Sequence, residues 1–195
     1  MNAKKLLDFI KNNEDVAKSI KHFKSGEVVF YEGDLCKDIV IVLNGEIKMS
    51  TIIENSDVTF NIAEKYDIFG NNLIYASDNR YRGTLSSTSK TKLLIINKKD
   101  LDVLMNDIEF RNEYLKILAD STLLDKKRLR LLQIPYLEDR LNELFKEQDN
   151  VISFKSISNL AYFLSTSREN LSRLLHQLEK EGKLIIHQHY LENTN

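Results

Sequence analysis

Residues 156–182 read SISNLAYFLSTSRENLSRLLHQLEKEG. Ile157, Leu160, Ala161 and Leu164 recur at spacings of three and four, the period of one short helix. Leu171, Leu174, Leu175 and Leu178 mark a second helix, about fifteen residues long. Ser165, Thr166 and Ser167 separate the two. Two apolar-striped helices joined by a tight polar turn make a helix-turn-helix unit. Ala161 is small where the helices cross closely. Ser167 is placed to cap the second helix at the amide of Asn170.

The second helix carries Ser167, Arg168, Glu169, Ser172 and Arg173 in its first two turns. Arg168 and Ser172, and Glu169 and Arg173, are i, i+4 pairs, so they share an outward sector while the leucines face in. Arginine forks match guanine O6 and N7, and glutamate accepts from cytosine N4. A serine at the helix N-terminus holds a phosphate. The competing reading is a solvated helix in which Glu169 and Arg173 pair with each other. Leu184–Ile186 and Tyr190–Leu191 read as two short wing strands. Residues 135–195 hold seven lysines and arginines against nine acidic residues. DNA binding would therefore rest on a few placed cations, and non-specific affinity should be weak.

Upstream, Pro135 is the only proline, and the residue before a proline avoids helix. Gln133–Pro135 therefore reads as a hinge, with a helix over Tyr136–Gln148 after it. Before the hinge, Glu109–Leu132 is a long amphipathic run without glycine or proline. Tyr114, Ile117, Ser121, Leu124, Arg128 and Leu131 recur along it with a two-helix seam period, and we read them as a dimer interface. Asp100–Met105 reads as a short helix.

Residues 23–100 have a different texture. Short β-branched and aromatic runs (Glu27–Tyr31, Asp38–Leu43, Glu46–Ile52, Val58–Ala63, Thr84–Thr88 and Lys92–Ile96) alternate with turns. Five of the six glycines fall there. Asn44-Gly45 between two apolar runs reads as a hairpin turn, because such turns need positive φ. Many short strands with regular turns indicate a small β-barrel or jelly roll. Residues 1–22 read as a short amphipathic helix.

The chain has 195 residues and a formal net charge of −1, so any nucleic-acid surface must be local. Cys36 is the only cysteine. It rules out an internal disulfide and an iron–sulfur cluster, and fits a reducing cytoplasm. No signal peptide or membrane span is read from the apolar runs, so no membrane partner is expected. A metal-dependent barrel enzyme would need converging histidines, and only His22 precedes residue 176. His187 and His189 share one strand face without further metal partners. No enzyme activity and no metal site are expected.

Two strings carry a family likeness. Ser167-Arg168-Glu169, Ser172-Arg173-Leu174 and Leu178-Glu179-Lys180-Glu181-Gly182 resemble the recognition helix of the CRP/FNR family of regulators. Phe23, Gly26-Glu27, Glu32-Gly33-Asp34, Leu43-Asn44-Gly45-Glu46-Ile47 and Phe69-Gly70 resemble that family's cyclic-nucleotide-binding-type β-roll. The likeness spans about residues 20–190. It implies an α+β chain: an N-terminal double-stranded β-helix (jelly-roll) sensor over 1–108, a dimerisation helix and hinge over 109–134, and a C-terminal winged helix-turn-helix over 135–195. It implies base reading by Arg168, Glu169 and Arg173 and a phosphate contact at Ser167. The partners it implies are inverted-repeat double-stranded DNA, a second copy of the chain and RNA polymerase. Ser165 stands where relatives often have glycine, and a positive φ there would cost about 1 kcal/mol.

The same resemblance puts a ligand region at Gly70, Asn71, Arg80, Arg82 and Thr84, with Ser121 and Thr122 on the long helix. It argues against cyclic AMP. Asn71 replaces the glutamate that bonds the ribose. Tyr81 takes the place of the arginine that neutralises the phosphate, and a buried phosphate without that partner is costly. Haem would have only the lone His22 or Cys36. No cofactor is expected, and the sensor answers to an unidentified small molecule or to none. The alternative function is a ligand-responsive adaptor that has lost DNA binding; intact Arg168, Glu169 and Arg173 speak against it.

Overall fold

A computed structural model describes residues 3–194. The chain divides into two units, 1–122 and 123–195, and the division falls inside one helix.

The first unit holds α1 (Lys4–Asn12), eight strands and α2 (Lys98–Leu104), and ends in the first half of α3 (Ile108–Leu132). The strands are β1 (Ser19–Phe23), β2 (Val28–Phe30), β3 (Asp38–Asn44), β4 (Ile47–Ile53), β5 (Ser56–Ala63), β6 (Ile68–Phe69), β7 (Thr84–Ser87) and β8 (Thr91–Asn97). They form two four-stranded sheets, ordered β1-β8-β3-β6 and β2-β7-β4-β5. All named pairings are antiparallel.

The sequence explains the difference between the sheets. β3 runs Ile39-Val40-Ile41-Val42 with every residue buried, so both faces of its sheet are covered. Leu6, Leu7 and Ile10 of α1, Leu101 and Leu104 of α2, and Phe110, Tyr114 and Ile117 of α3 join the same core. β7 instead alternates buried and half-buried residues, as a sheet with one wetter face does.

Two sequence readings are corrected here. Residues 1–22 are not one helix: α1 stops at Asn12 and Ser19–Phe23 is a strand paired with β8. β1 is an edge strand with four of its five residues exposed, so it carries no apolar alternation to signal it. Asn44-Gly45 does not close a hairpin. β3 and β4 lie in different sheets, and the turn carries the chain from one to the other. Gly45 has φ 85°, and a Cβ there would stand 2.6 Å from the Lys90 carbonyl oxygen. The close crossing excludes a side chain. The actual two-residue hairpin joins β4 to β5 at Glu54-Asn55, with φ 49° and 64° and Ile53 opposite Ser56.

The second unit begins with the end of α3. It continues through α4 (Leu137–Glu147), β9 (Val151–Ser153), α5 (Ile157–Phe163), α6 (Arg168–Lys180), β10 (Leu184–Ile186) and β11 (Tyr190–Asn193). The strands form a sheet ordered β10-β11-β9. The wing thus has a third strand, β9, in addition to the two expected. Leu131, Leu141, Leu144, Phe145, Ile152, Leu160, Leu171, Leu175, Leu178, Leu184 and Leu191 make its core.

Candidate nucleic-acid interface

Both helices of the pair start on a serine cap. Ser156 Oγ accepts from the Asn159 amide at 3.1 Å, and Ser167 Oγ accepts from the Asn170 amide at 3.1 Å. Each cap satisfies one of the amides that a helix start leaves unpaired. A hydroxyl that accepts still has its proton to donate, so Ser167 can also bond an anionic oxygen. The turn closes through the Ser165 amide on the Tyr162 carbonyl, 3.0 Å, and the Thr166 amide on the Ala161 carbonyl, 3.0 Å. Ser165 does take positive φ, 50°.

α6 buries Leu171, Leu175 and Leu178. Around its first two turns Arg168, Glu169 and Arg173 are exposed and Ser172 is half-buried. Glu169 and Arg173 do not pair with each other. Among the described residues, nothing hydrogen-bonds or ion-pairs with the side chain of Arg168, Glu169 or Arg173. These groups start hydrated and uncommitted, and a partner from outside need not displace an internal one.

Sequence reasoning missed the groups that brace the turn. Arg140 of α4 donates from Nε to the Ile134 carbonyl (2.7 Å), from Nη1 to the Leu164 carbonyl (2.8 Å) and from Nη2 to the Pro135 carbonyl (3.1 Å). One guanidinium thus ties the hinge residues to the end of α5. An arginine in a helical run gives no sequence signal for such carbonyl partners.

Of the positions read as a seam, Tyr114 and Ile117 are buried in the first unit's core and Leu131 in the second's. Arg128 bonds Tyr162 and Ser165. Ser121 is half-buried, and Leu124 is 46% exposed. A helical period cannot tell a face turned to the chain's own core from one turned to a partner. The large apolar residues that α3 leaves exposed are Ile108, Leu115, Leu123, Leu124 and Leu129.

In the β-roll, the residues read as a ligand region separate. Gly70 and Asn71 are buried, and the Asn71 carbonyl accepts from the Tyr114 hydroxyl at 2.8 Å. Asn71 Nδ2 is buried without a hydrogen-bond partner. Arg80 is exposed and donates to the Gly33 carbonyl at 2.7 Å. Arg82 is exposed and pairs with Asp78 at 2.6 Å. Between them Tyr81 turns inward and is 1% exposed. Burial pushes its hydroxyl pKa up, and the neighbouring Cys36 thiol adds to the shift. Thr84 Oγ1 accepts from the Glu32 amide at 3.3 Å. Thr122 is exposed and bonds back to the Leu118 carbonyl at 3.0 Å. Among the described residues no cluster of three or more His, Cys, Asp or Glu is placed to hold a metal.

Comparison with known proteins agrees with this architecture. Residues 20–107 match the cyclic nucleotide-binding domain. The chain is 24% identical over 193 residues to the electron transport regulator A of Shewanella oneidensis, covering 91% of this chain and 76% of that protein. A CooA mutant from Carboxydothermus hydrogenoformans superposes with a TM-score of 0.69 at 19% identity, covering all of this chain (100%) and 92% of the other. A CRP/FNR family transcriptional regulator from Thermus thermophilus superposes with a TM-score of 0.58 at 17% identity, covering 91% and 94%. The Shewanella oneidensis relative and the Thermus thermophilus neighbour are named as regulators. With a match to the cyclic nucleotide-binding domain ahead of a helix-turn-helix, the chain shares the fold and the element order of these solved structures.

Proposed function

We infer that the chain binds an inverted-repeat operator as a homodimer, with α6 of each copy in a major groove. The observation that carries this reading is the exposed set of Arg168, Glu169 and Arg173 at the capped start of α6, none committed to an internal partner. Arg168 and Arg173 read guanine, Glu169 reads cytosine, Ser172 lies beside them, and Ser167 donates to a phosphate. The second copy docks along α3, where Leu115 and Leu129, two heptads apart on one stripe, are exposed. A seam of this kind suits a long helix with apolar side chains left over after its own core is filled. RNA polymerase is a further partner at the promoter. The setting is the cytoplasm. No helix among the described residues is long and apolar enough to cross a membrane.

The β-roll does not take cyclic AMP in this reading, because Tyr81 occupies the inward position and Arg80 and Arg82 are bonded elsewhere. A small-molecule effector at Gly70 and Asn71 is the remaining use of this region. The deciding experiment is selection of duplexes from a random pool by the purified chain, followed by gel shifts at low and moderate salt. Recovery of a two-fold symmetric site supports the reading. Binding that ignores sequence, or none, refutes it.

A further inference from the structure

α5 ends at Phe163 and α6 begins at Arg168, so residues 164–167 make the turn. Ser165 in that turn has φ 50°, a conformation that strains any residue with a Cβ and that glycine would adopt freely. Its side chain has a use that glycine could not fill. Arg128, near the end of α3, donates from Nη2 to Ser165 Oγ at 2.9 Å. The same guanidinium donates from Nη1 to the Tyr162 hydroxyl at 3.1 Å. Its carbon stands 4.1 Å from the centroid of the Tyr162 ring. Arg128 Nε is buried with no partner.

This arrangement is expensive. A strained serine and a buried N–H without an acceptor each destabilise the fold. Packing alone would be served by glycine at 165 and an aliphatic residue at 128. What the pair adds is position. Arg128 grips residues 162 and 165 from one side, and Arg140 of α4 holds the Leu164 carbonyl as well. The turn that launches α6 is thereby fixed three residues before Arg168. A planar fork can meet two acceptors and lie along a ring at once, which a lysine cannot do.

We propose that Arg128 is a positioning residue for DNA recognition: through Ser165 it sets the turn, and hence the placement of Arg168 and Arg173, from the last turns of α3. This rests on the reading of α6 as the DNA-contacting helix. It also gives the serine in the turn a reason.

The test uses the full chain, the duplex that the wild-type chain selects, and a random duplex of equal length. The variants are Arg128→Gln, Ser165→Gly and the double variant. Arg128→Gln is expected to lose about tenfold on the selected duplex and little on the random one. Ser165→Gly relieves the backbone, so its thermal midpoint should hold or rise while selected-duplex affinity falls about fivefold. The double variant should bind no more weakly than Arg128→Gln alone. Amide hydrogen exchange over residues 166–170 should quicken in both single variants. Additive losses, wild-type affinity in Ser165→Gly, or unchanged exchange would overturn the proposal. If the wild-type chain selects no duplex, the DNA reading of α6 fails by itself. The exchange arm then decides the grip: faster exchange in Arg128→Gln upholds it, and unchanged exchange removes it.

Discussion

Tyr81 lies face to face with Phe30, ring centroids 4.8 Å apart and planes within 12°. On the function proposed above, this pair sets aromatic carbon at the position where the phosphate of a cyclic nucleotide would need a cation. Calorimetry with cyclic AMP is therefore expected to show no binding heat, and a micromolar isotherm would refute that. Tyr81→Ala should cost about 3–5 kcal/mol in chemical denaturation, as large aromatic truncations do. Tyr81→Phe should cost under ~1 kcal/mol, because the hydroxyl is buried without a hydrogen-bond partner.

On the DNA side, Arg168→Ala and Arg173→Ala should each weaken binding to the selected duplex by about 1–3 kcal/mol and relax base choice at one half-site position. Equal losses on selected and random DNA would show that these side chains only neutralise phosphate.

The long helix offers two contrasting substitutions. Leu115 is 51% exposed and Ile117 is 5% exposed. Leu115→Glu should leave the fold intact and shift sedimentation toward monomer, with operator affinity falling alongside. Ile117→Glu should unfold the first unit instead, since it places a charge in the core. Unchanged dimer mass in Leu115→Glu would move the seam away from that face.

Asp38 gives a pH prediction with a definite sign. Burial raises its carboxyl pKa above the ordinary 3.8, against the opposing pull of Lys21 and Lys37. The folded chain therefore holds this proton to higher pH than the unfolded chain does. Stability contributed by the group falls as pH rises from 3.8 through the raised folded value. Asp38→Asn removes that penalty. The variant should be more stable near neutral pH by under ~1 kcal/mol and match the wild type below the ordinary carboxylate range. Denaturation midpoints across pH test this, and a neutral-pH loss would contradict it.

Much of the second unit was legible because local rules decide it. Ser167 caps at Asn170, and the leucines of α6 fall on the buried face that their spacing requires. In the first unit, the strands with apolar runs could be read, while β1 and β6 could not. β6 is two residues long, and β1 owes its existence to β8, not to its own pattern. Asn44-Gly45 has hairpin chemistry, but tertiary pairing assigns the two flanking strands to separate sheets. The seam failed to separate for a related reason. Tyr114 and Leu124 share a helical period, yet only Tyr114 has a core of its own chain to fill.

The pairing of Ser19 with Ile95 has a temporal consequence. β3 takes the same strand β8 on its other side, so two strands made early both wait for one made late. A ribosome that has released only the first ninety or so residues has extruded β1 and β3 without the strand that joins them. Their unpaired edges are then free to meet other chains. The wing, whose strands lie within about forty residues of one another, runs no such delay.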